Sequence, residues 1–461
     1  MLNKSKIGID CLVGDGAHAS ISRIKSGIPY LTSKNFSQSG LNLNKVDYIS
    51  ENDYQKYFNS KSKALTKPIE GDLIFSIIGS IGGAYLYTSE DNFGLSSSVA
   101  IIRPNKDRIS SEFLLYYLKS QYLQAWVEAI KSGAAQGFLS LEMIRSLPLL
   151  YPNLSIQKKI ASILSAYDDL IENNNQRIKL LEEMAEEIYK EWFVRLRFPG
   201  YQHCTFFDDD GHEVPHGRPG AMPEGWKNIK MRSCIDHYIG GGWGEEVPKG
   251  KNLHPAYVLR GTDIPNLNKG YLNFEKLRYH TLSNLSSRLC QTSDIIFEVS
   301  GGTEEQSLGR TFFITQKVLD RFDKPIIGAS FCKLIRTNSK VINPLIIYSL
   351  LKRMYKTGEL KVFQVQSTGI SNYQFEDFLD ATQVAVPPYT LQEKFENIAH
   401  PFYEEIQVLG AKNQILQETR DLLLPRLISG KLSVENIDLN SESSLSMAAE
   451  PWEVYAKQES H

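Results

Sequence analysis

At 461 residues the chain is longer than one ordinary hydrophobic core, so two or more domains are expected. Its 42% hydrophobic and 23% charged residues are those of a globular protein, and no apolar run reaches the roughly eighteen residues of a membrane-spanning helix. A formal charge of −2 excludes the uniformly basic surface of a simple DNA binder, so a polyanionic partner would require local positive charge or charge supplied by another subunit.

The N-terminal Met1-Leu2-Asn3-Lys4-Ser5-Lys6 leads to Asp10 and Gly14-Asp15-Gly16 rather than to the apolar stretch of a signal peptide, and the cytoplasm is the expected compartment. Cys11, Cys204, Cys234, Cys290 and Cys332 form no C-x-x-C pair and are odd in number, so they read as reduced core residues. His212 and His216 stand at helical spacing, but Gly211, Pro215 and Gly217 deny a helix there, and no metal site is expected.

Further along, the same landmarks occur twice. Ile28-Pro29-Tyr30-Leu31 resembles Pro255-Ala256-Tyr257-Val258, and Gly71-Asp72-Leu73-Ile74-Phe75 resembles Ser293-Asp294-Ile295-Ile296-Phe297. Ser98 through Arg103 resembles Ser330 through Arg336, and Glu112 through Leu118 resembles Pro344 through Leu350. At one constant offset Phe138 pairs with Tyr373, Ile144 with Leu379, Pro152 with Pro387 and Gln157 with Gln392. Weak matches in a single order mark an internal duplication. Each globular part mixes short apolar runs, Gly/Asn/Ser turns and short helical segments, which reads as α+β with a twisted sheet.

Two segments differ from the rest. Ile160, Ile163, Tyr167, Ile171, Asn174, Ile178, Leu181, Ala185, Ile188 and Trp192 recur at steps of three and four. They predict a helix about 60 Å long with a coiled-coil seam, capped by Ser155 and ended by Pro199-Gly200. Leu391, Phe395, Ile398, Phe402, Ile406, Leu409, Asn413, Leu416 and Leu423 predict a second. An extra four-residue step, Tyr167 to Ile171 and Phe402 to Ile406, reads as a shared stutter. Pro401 should kink the second helix, and the two are expected to pack antiparallel.

The expected organisation is therefore a domain over 1–153, a helix over 154–200, a second domain over 201–387, a second helix over 388–432 and a tail of low order over 433–461.

No catalytic constellation survives inspection. Val386-Pro387-Pro388-Tyr389 resembles the Asn-Pro-Pro-Tyr of amino-methyltransferases but lacks the polar first residue that holds the target amine. Its counterpart is Tyr151-Pro152-Asn153, so it reads as a domain-to-helix corner. Gly240-Gly241-Gly242-Trp243-Gly244 has no following Lys-Ser/Thr, and a turn is expected rather than a phosphate cradle. Asp294 and Glu298 lack the lysine of a metal nuclease. The chain reads as a binding protein.

Ile156 through Asn175, Leu181 through Ala185, and Trp192 through Gly200 resemble the central conserved region of type I restriction-modification specificity subunits. Arg420 through Leu432 is similar to their distal conserved region, and Gly14-Asp15-Gly16-Ala17-His18 with Gly27 through Leu31 resembles one class of their target-recognition domains. The resemblance implies two pseudo-repeated α/β target-recognition domains separated by two long antiparallel coiled-coil helices. It also implies a non-catalytic subunit that reads a bipartite, asymmetric site on double-stranded DNA.

Two modification subunits would carry S-adenosylmethionine and methylate adenine, and a restriction/translocase subunit would use ATP and Mg. This chain itself would bind no cofactor. Candidate DNA contacts are Gly14, Asp15, His18, Ser20, Lys25, Lys34, Asn35 and Ser80 in the first domain. In the second they are Trp243, Lys249, Lys251, Arg260, Thr262, Asp263 and Arg310, residue types that pair with phosphates or base edges. Gln157, Ile160, Ile163, Tyr167, Ile171, Ile178, Leu181 and Trp192, with Gln392, Phe395, Ile406, Leu409, Leu416 and Leu423, are the candidate helix–helix and partner-subunit contacts. The alternative reading is a coiled-coil adaptor that bridges proteins without touching DNA.

Overall fold

Val99-Ala100-Ile101-Ile102 is a continuous apolar run of the kind that sits inside a sheet, and the strand it forms is buried along almost its whole length. The computed structural model describes residues 2–37, 40–59, 65–133, 137–272, 276–301, 306–367 and 370–435. Two compact units result, Met1–Leu170 with Leu416–His461, and Ile171–Ile415, and the division falls within both long helices.

In the first unit the repeated elements are β1 (Asn3–Lys6), β2 (Cys11–Asp15), β3 (Ile28–Leu31), β4 (Asp47–Ile49), α1 (Glu51–Tyr57), β5 (Leu73–Ser76), β6 (Ala84–Leu86), β7 (Gly94–Leu95), β8 (Val99–Pro104), α2 (Ser111–Lys119), α3 (Leu141–Ser146), β9 (Pro148–Tyr151) and the start of α4 (Leu154–Tyr189). Their sheets run β2-β8-β5-β6, β4-β3-β7 and β1-β9. All pairings are antiparallel except that of β3 with β7.

In the second unit the elements are β10 (Lys227–Lys230), β11 (Ile235–Gly240), β12 (His254–Leu259), β13 (Leu277–His280), α5 (Leu282–Arg288), β14 (Ile295–Glu298), β15 (Thr311–Phe313), β16 (Ile326–Gly328), β17 (Cys332–Thr337), α6 (Pro344–Thr357), α7 (Phe375–Ala381), β18 (Gln383–Val386) and most of α8 (Tyr389–Ile428). The sheets run β11-β17-β14-β15, β13-β12-β16 and β10-β18, again with one parallel pair, β12 with β16. Element for element, the second unit repeats the first. The helix Gln121–Gly133 and the strand pair Phe36–Ser37 and Gly40–Leu41 belong to the first unit alone, and the strands Phe206–Phe207, Glu213–Val214, Met222–Pro223, Ser300–Gly301, Gln364–Ser367 and Ile370–Tyr373 and the helix Gln316–Leu319 to the second.

Buried polar groups repeat as well. Arg103 holds the buried Asp72 carboxylate through Nε (2.8 Å) and Nη2 (2.7 Å), and Arg336 holds Asp294 at the same two distances. Each aspartate also accepts from the backbone three residues before it, Ile69 N or Gln291 N. The residue preceding the aspartate has left-handed backbone in both units, Gly71 with φ 91° and Ser293 with φ 73°.

Gln157 accepts from Ser110 N (2.9 Å) and donates to Arg108 O and Pro152 O, and Gln392 accepts from Asn343 N (2.6 Å) and donates to Val341 O and Pro387 O. Each glutamine ties the first turn of its long helix to the loop before α2 or α6 and to the proline corner. They are therefore intradomain clamps and not helix–helix contacts.

The register corrects two sequence matches by one residue. Ser96 N donates to Leu31 O and Ala329 N to Leu259 O, so Tyr30 corresponds to Val258 rather than Tyr257. Leu139 N meets Ile77 O as Tyr373 N meets Val299 O, so Leu139 rather than Phe138 corresponds to Tyr373. A one-residue slip exchanges the two faces of a strand, so Tyr30 and Tyr257 stand on opposite faces despite their shared type.

The long helices run antiparallel inside each unit. In the first, Lys159 Nζ reaches Glu435 O (2.7 Å) and Arg420 pairs with Asp168, which also accepts from Tyr116 (2.7 Å). In the second, Asn174 donates to Asn413 (2.8 Å), Arg177 to Glu405 (3.0 Å), and Trp192 and Phe193 pack around Phe395. The cap of α4 is Asn153, whose Oδ1 accepts from Ile156 N (3.0 Å), and not Ser155. A π-turn over Lys190–Val194 ends that helix ahead of Pro199-Gly200.

Leu164, not Ile163, is fully buried on α4, which makes the steps Ile160, Leu164, Tyr167, Ile171 regular. On α8, Ala399 and Tyr403 are buried while Ile398 is 39% exposed. The extra steps belong to α8 from Phe395 to Tyr403 and are not shared at Tyr167. Helix α8 continues through Pro401. Val434 is buried in the first unit's core, so order extends past 433, and the rest of the expected tail, 436–461, lies outside the described residues.

Candidate nucleic-acid interface

Several residue types that suggested DNA contact are instead required by packing. Gly14 is buried in β2, where a Cβ would lie 2.4 Å from Leu65 O. Asn35 is buried, accepting from Thr32 N (3.0 Å) and donating to Asn42 O (2.9 Å) and Lys45 O (3.0 Å), so its amide is consumed by a turn. Arg310 is half-buried and paired with the buried Glu298, with Nε at 2.8 Å from the carboxylate. Arg260 closes on Asp263 through Nε (3.0 Å) and Nη2 (2.6 Å), the internal pairing that its spacing allowed. Gly14, Asn35 and Arg310 therefore fall away as reading residues, and Arg260 and Asp263 are committed to each other.

What remains exposed is concentrated in two connections. Between β2 and β3 stand His18, whose Nε2 lies 2.6 Å from half-buried Asp15, with Ser20 and Lys25. Between β11 and β12 stand Trp243, Lys249 and Lys251, and the Arg278 guanidinium sits 4.9 Å from the Trp243 ring centroid. Lys34, Ser80 and Thr262 are exposed elsewhere in their units.

The glycine run does not cradle phosphate, because Gly241 N donates to Cys332 O (2.8 Å) and Gly242 N to Gly328 O (3.0 Å). Asp294 and Glu298 are taken up by Arg336 and Arg310. Val386 lies buried in β18, which leads through Pro387 and Pro388 directly into α8. A cleft of about 490 Å³ in the second unit is crossed by the ion pairs Lys352–Glu182 (3.3 Å) and Lys356–Glu186 (2.7 Å). Asp208, Asp210 and His212 gather on an exposed turn, but the Asp208 carboxylate already accepts from the Asp210 and His212 amides that close it.

Ile160, Tyr167, Ile171, Ile178, Trp192, Phe395, Ile406 and Leu409 are buried within their own units, and Ile163, Leu181, Leu416 and Leu423 are half-buried. The buried members of the seam are covered by their own chain, and the half-buried ones keep part of their surface exposed. Leu180, Met184 and Leu422, which sequence periodicity passed over, are exposed on these helices. Each stands one residue before a seam position (Leu181, Ala185 and Leu423), and that offset was a usable signal. No helix among the described residues is long and apolar enough to cross a membrane.

Fold and surface together define a duplicated binding protein, with one buried frame used twice and different side chains displayed from the same connection. Residues 22–183 match the family described as the type I restriction modification DNA specificity domain. The chain is 32% identical over 415 residues to the type I restriction enzyme HindI specificity subunit of Haemophilus influenzae, covering 80% of this chain and 88% of that one. It is 25% identical over 334 residues to the MjaIX specificity subunit of Methanocaldococcus jannaschii, covering 72% and 71%. Its fold is that of the type I restriction-modification S subunit from M. genitalium, with a TM-score of 0.52 at 15% identity over 93% of this chain and 96% of that one. The chain belongs to the type I restriction enzyme specificity subunits, the non-catalytic, DNA-recognising components of restriction-modification complexes.

Proposed function

We propose that each unit of this chain reads one half of an asymmetric, bipartite site on double-stranded DNA and that the chain thereby directs adenine methylation or restriction by its partners. One observation carries this reading: the two units share sheet order, strand register and buried Asp–Arg anchor, yet display unlike side chains from the matched connections. A duplicated frame with diverged readers suits two different half-sites.

Two modification subunits bind S-adenosylmethionine and dock on the long helices, using exposed residues such as Leu180, Met184 and Leu422 rather than the buried seam. A restriction/translocase subunit supplies ATP- and Mg-dependent translocation and cleavage, and this chain holds no cofactor of its own. The complex works in the cytoplasm, in keeping with five free cysteines. Near-neutral net charge is compatible with DNA binding when partner subunits neutralise part of the phosphate charge.

An electrophoretic competition assay on the complex with its modification partner tests the reading. Binding to one sequence class over competitor DNA is expected, and equal binding to all DNA would leave the adaptor reading in its place.

A further inference from the structure

We infer that the turn leaving the first strand of each four-stranded sheet is the base-reading element of its unit, with His18 and Trp243 as the specificity-determining side chains; this rests on the proposed recognition of two unlike half-sites. Strand register makes these residues equivalent. Asp15 lies opposite Ala100 on β8, three residues before Arg103, and Gly240 lies opposite Lys333 on β17, three residues before Arg336. With the two arginine anchors matched, Asp15 corresponds to Gly240, Gly16 to Gly241, and His18 to Trp243.

The backbone of this turn is fixed in the same way twice. Gly16 N donates to Val99 O (3.1 Å) and Ala17 N to Leu95 O (2.8 Å), and Gly241 and Gly242 repeat both bonds to Cys332 O and Gly328 O. A Cβ on Gly16 would lie 2.1 Å from Leu95 O, and one on Gly241 the same distance from Ala329 O. Only glycine passes this point, so the backbone leaves the sheet along the same path in both units. Functional side chains are best placed on such a rigid exit.

Beyond the glycine the chemistry diverges. His18 is 72% exposed, and with its Nε2 on Asp15 (2.6 Å) the other ring nitrogen is left for a further hydrogen bond. Trp243 is 41% exposed, with Val247 and Leu253 of the same connection more exposed still. Exposed apolar groups clustered on one loop mark a contact surface, and against DNA they suit thymine methyls and base faces. Lys25 in one connection and Lys249 and Lys251 in the other are exposed cations, while Glu246 is taken up by Arg278 (2.9 Å) and Glu245 remains the acidic exception.

A second observation lies beneath Trp243. His280 is 1% exposed, and its Nε2, like Asn284 Oδ1, has no hydrogen-bond partner. A Cβ on Gly244 would lie 2.8 Å from that Nε2, and one on Gly242 3.1 Å from that Oδ1. Two buried polar atoms without partners thus lie against the underside of the reading turn. Burying them unpaired is costly.

The test is methylation mapping with the full chain and its modification partner, comparing wild type, His18→Ala and Trp243→Ala. His18→Ala should relax base preference about tenfold at positions within one half-site, and Trp243→Ala within the other. If either variant leaves both half-sites unchanged, or if both alter the same half, the inference is overturned. A wild-type complex without any bipartite preference would instead refute the recognition reading. Trp243→His provides a second variant that keeps a ring at the position: a new base preference in one half supports the inference, and the wild-type preference contradicts it.

Discussion

The Asp–Arg anchors and the turns that leave β2 and β11 belong to the same four-stranded sheets, yet they have fared differently in the two units. Asp72–Arg103 and Asp294–Arg336 agree bond for bond, whereas Ala17-His18 and Gly242-Trp243 share nothing beyond the glycine before them. A buried carboxylate has one low-energy arrangement, and any change in its partner is destabilising. An exposed side chain on a fixed exit carries no such cost, so it is free to follow the DNA sequence it meets.

Four substitution pairs would break or sharpen that contrast. Arg103→Ala and Arg336→Ala each leave a buried carboxylate uncompensated, and each should cost about 3–5 kcal/mol in urea unfolding. Indifference to either would remove the anchor from the shared frame. Gln157→Ala and Gln392→Ala each strip three buried backbone groups of their partner and should cost about 3 kcal/mol apiece, read the same way. Matched losses are expected because the bonds match; unequal ones would show that the clamp is structural in only one unit.

Gly16→Ala and Gly241→Ala should each cost about 2 kcal/mol by forcing the turn off the opposing carbonyl, with the shift visible in thermal melts. The smallest effect tests a place where the frame itself has drifted. Ser293→Gly should stabilise by about 1 kcal/mol, because a left-handed backbone strains serine, and Gly71→Ser should destabilise by a similar amount. Effects of the opposite sign would mean that the Ser293 side chain contributes more than its backbone costs.

The duplication, the α+β class and the antiparallel helices were legible because they rest on periodicity and order, which survive divergence. Gln157 and Gln392 were found by position, but their role was not, since a glutamine facing inward looks like any surface glutamine until its three partners are placed. The expected stutter failed because isoleucine and leucine at adjacent positions, Ile163 and Leu164, are indistinguishable by hydropathy, and only packing selected Leu164. The candidate site was the least legible part. Asn35 and Arg310 are of the right chemical type for DNA, but buried turns and ion pairs use the same chemistry. The correspondence of His18 with Trp243 requires strand register, because their sequences share only Gly16 and Gly241.

Mapping adenine methylation across a genome that expresses this chain with its modification partner tests the central claim most directly. The account predicts one motif made of two different half-sites separated by unspecified bases. A single contiguous motif, two identical halves, or methylation without sequence preference would contradict it.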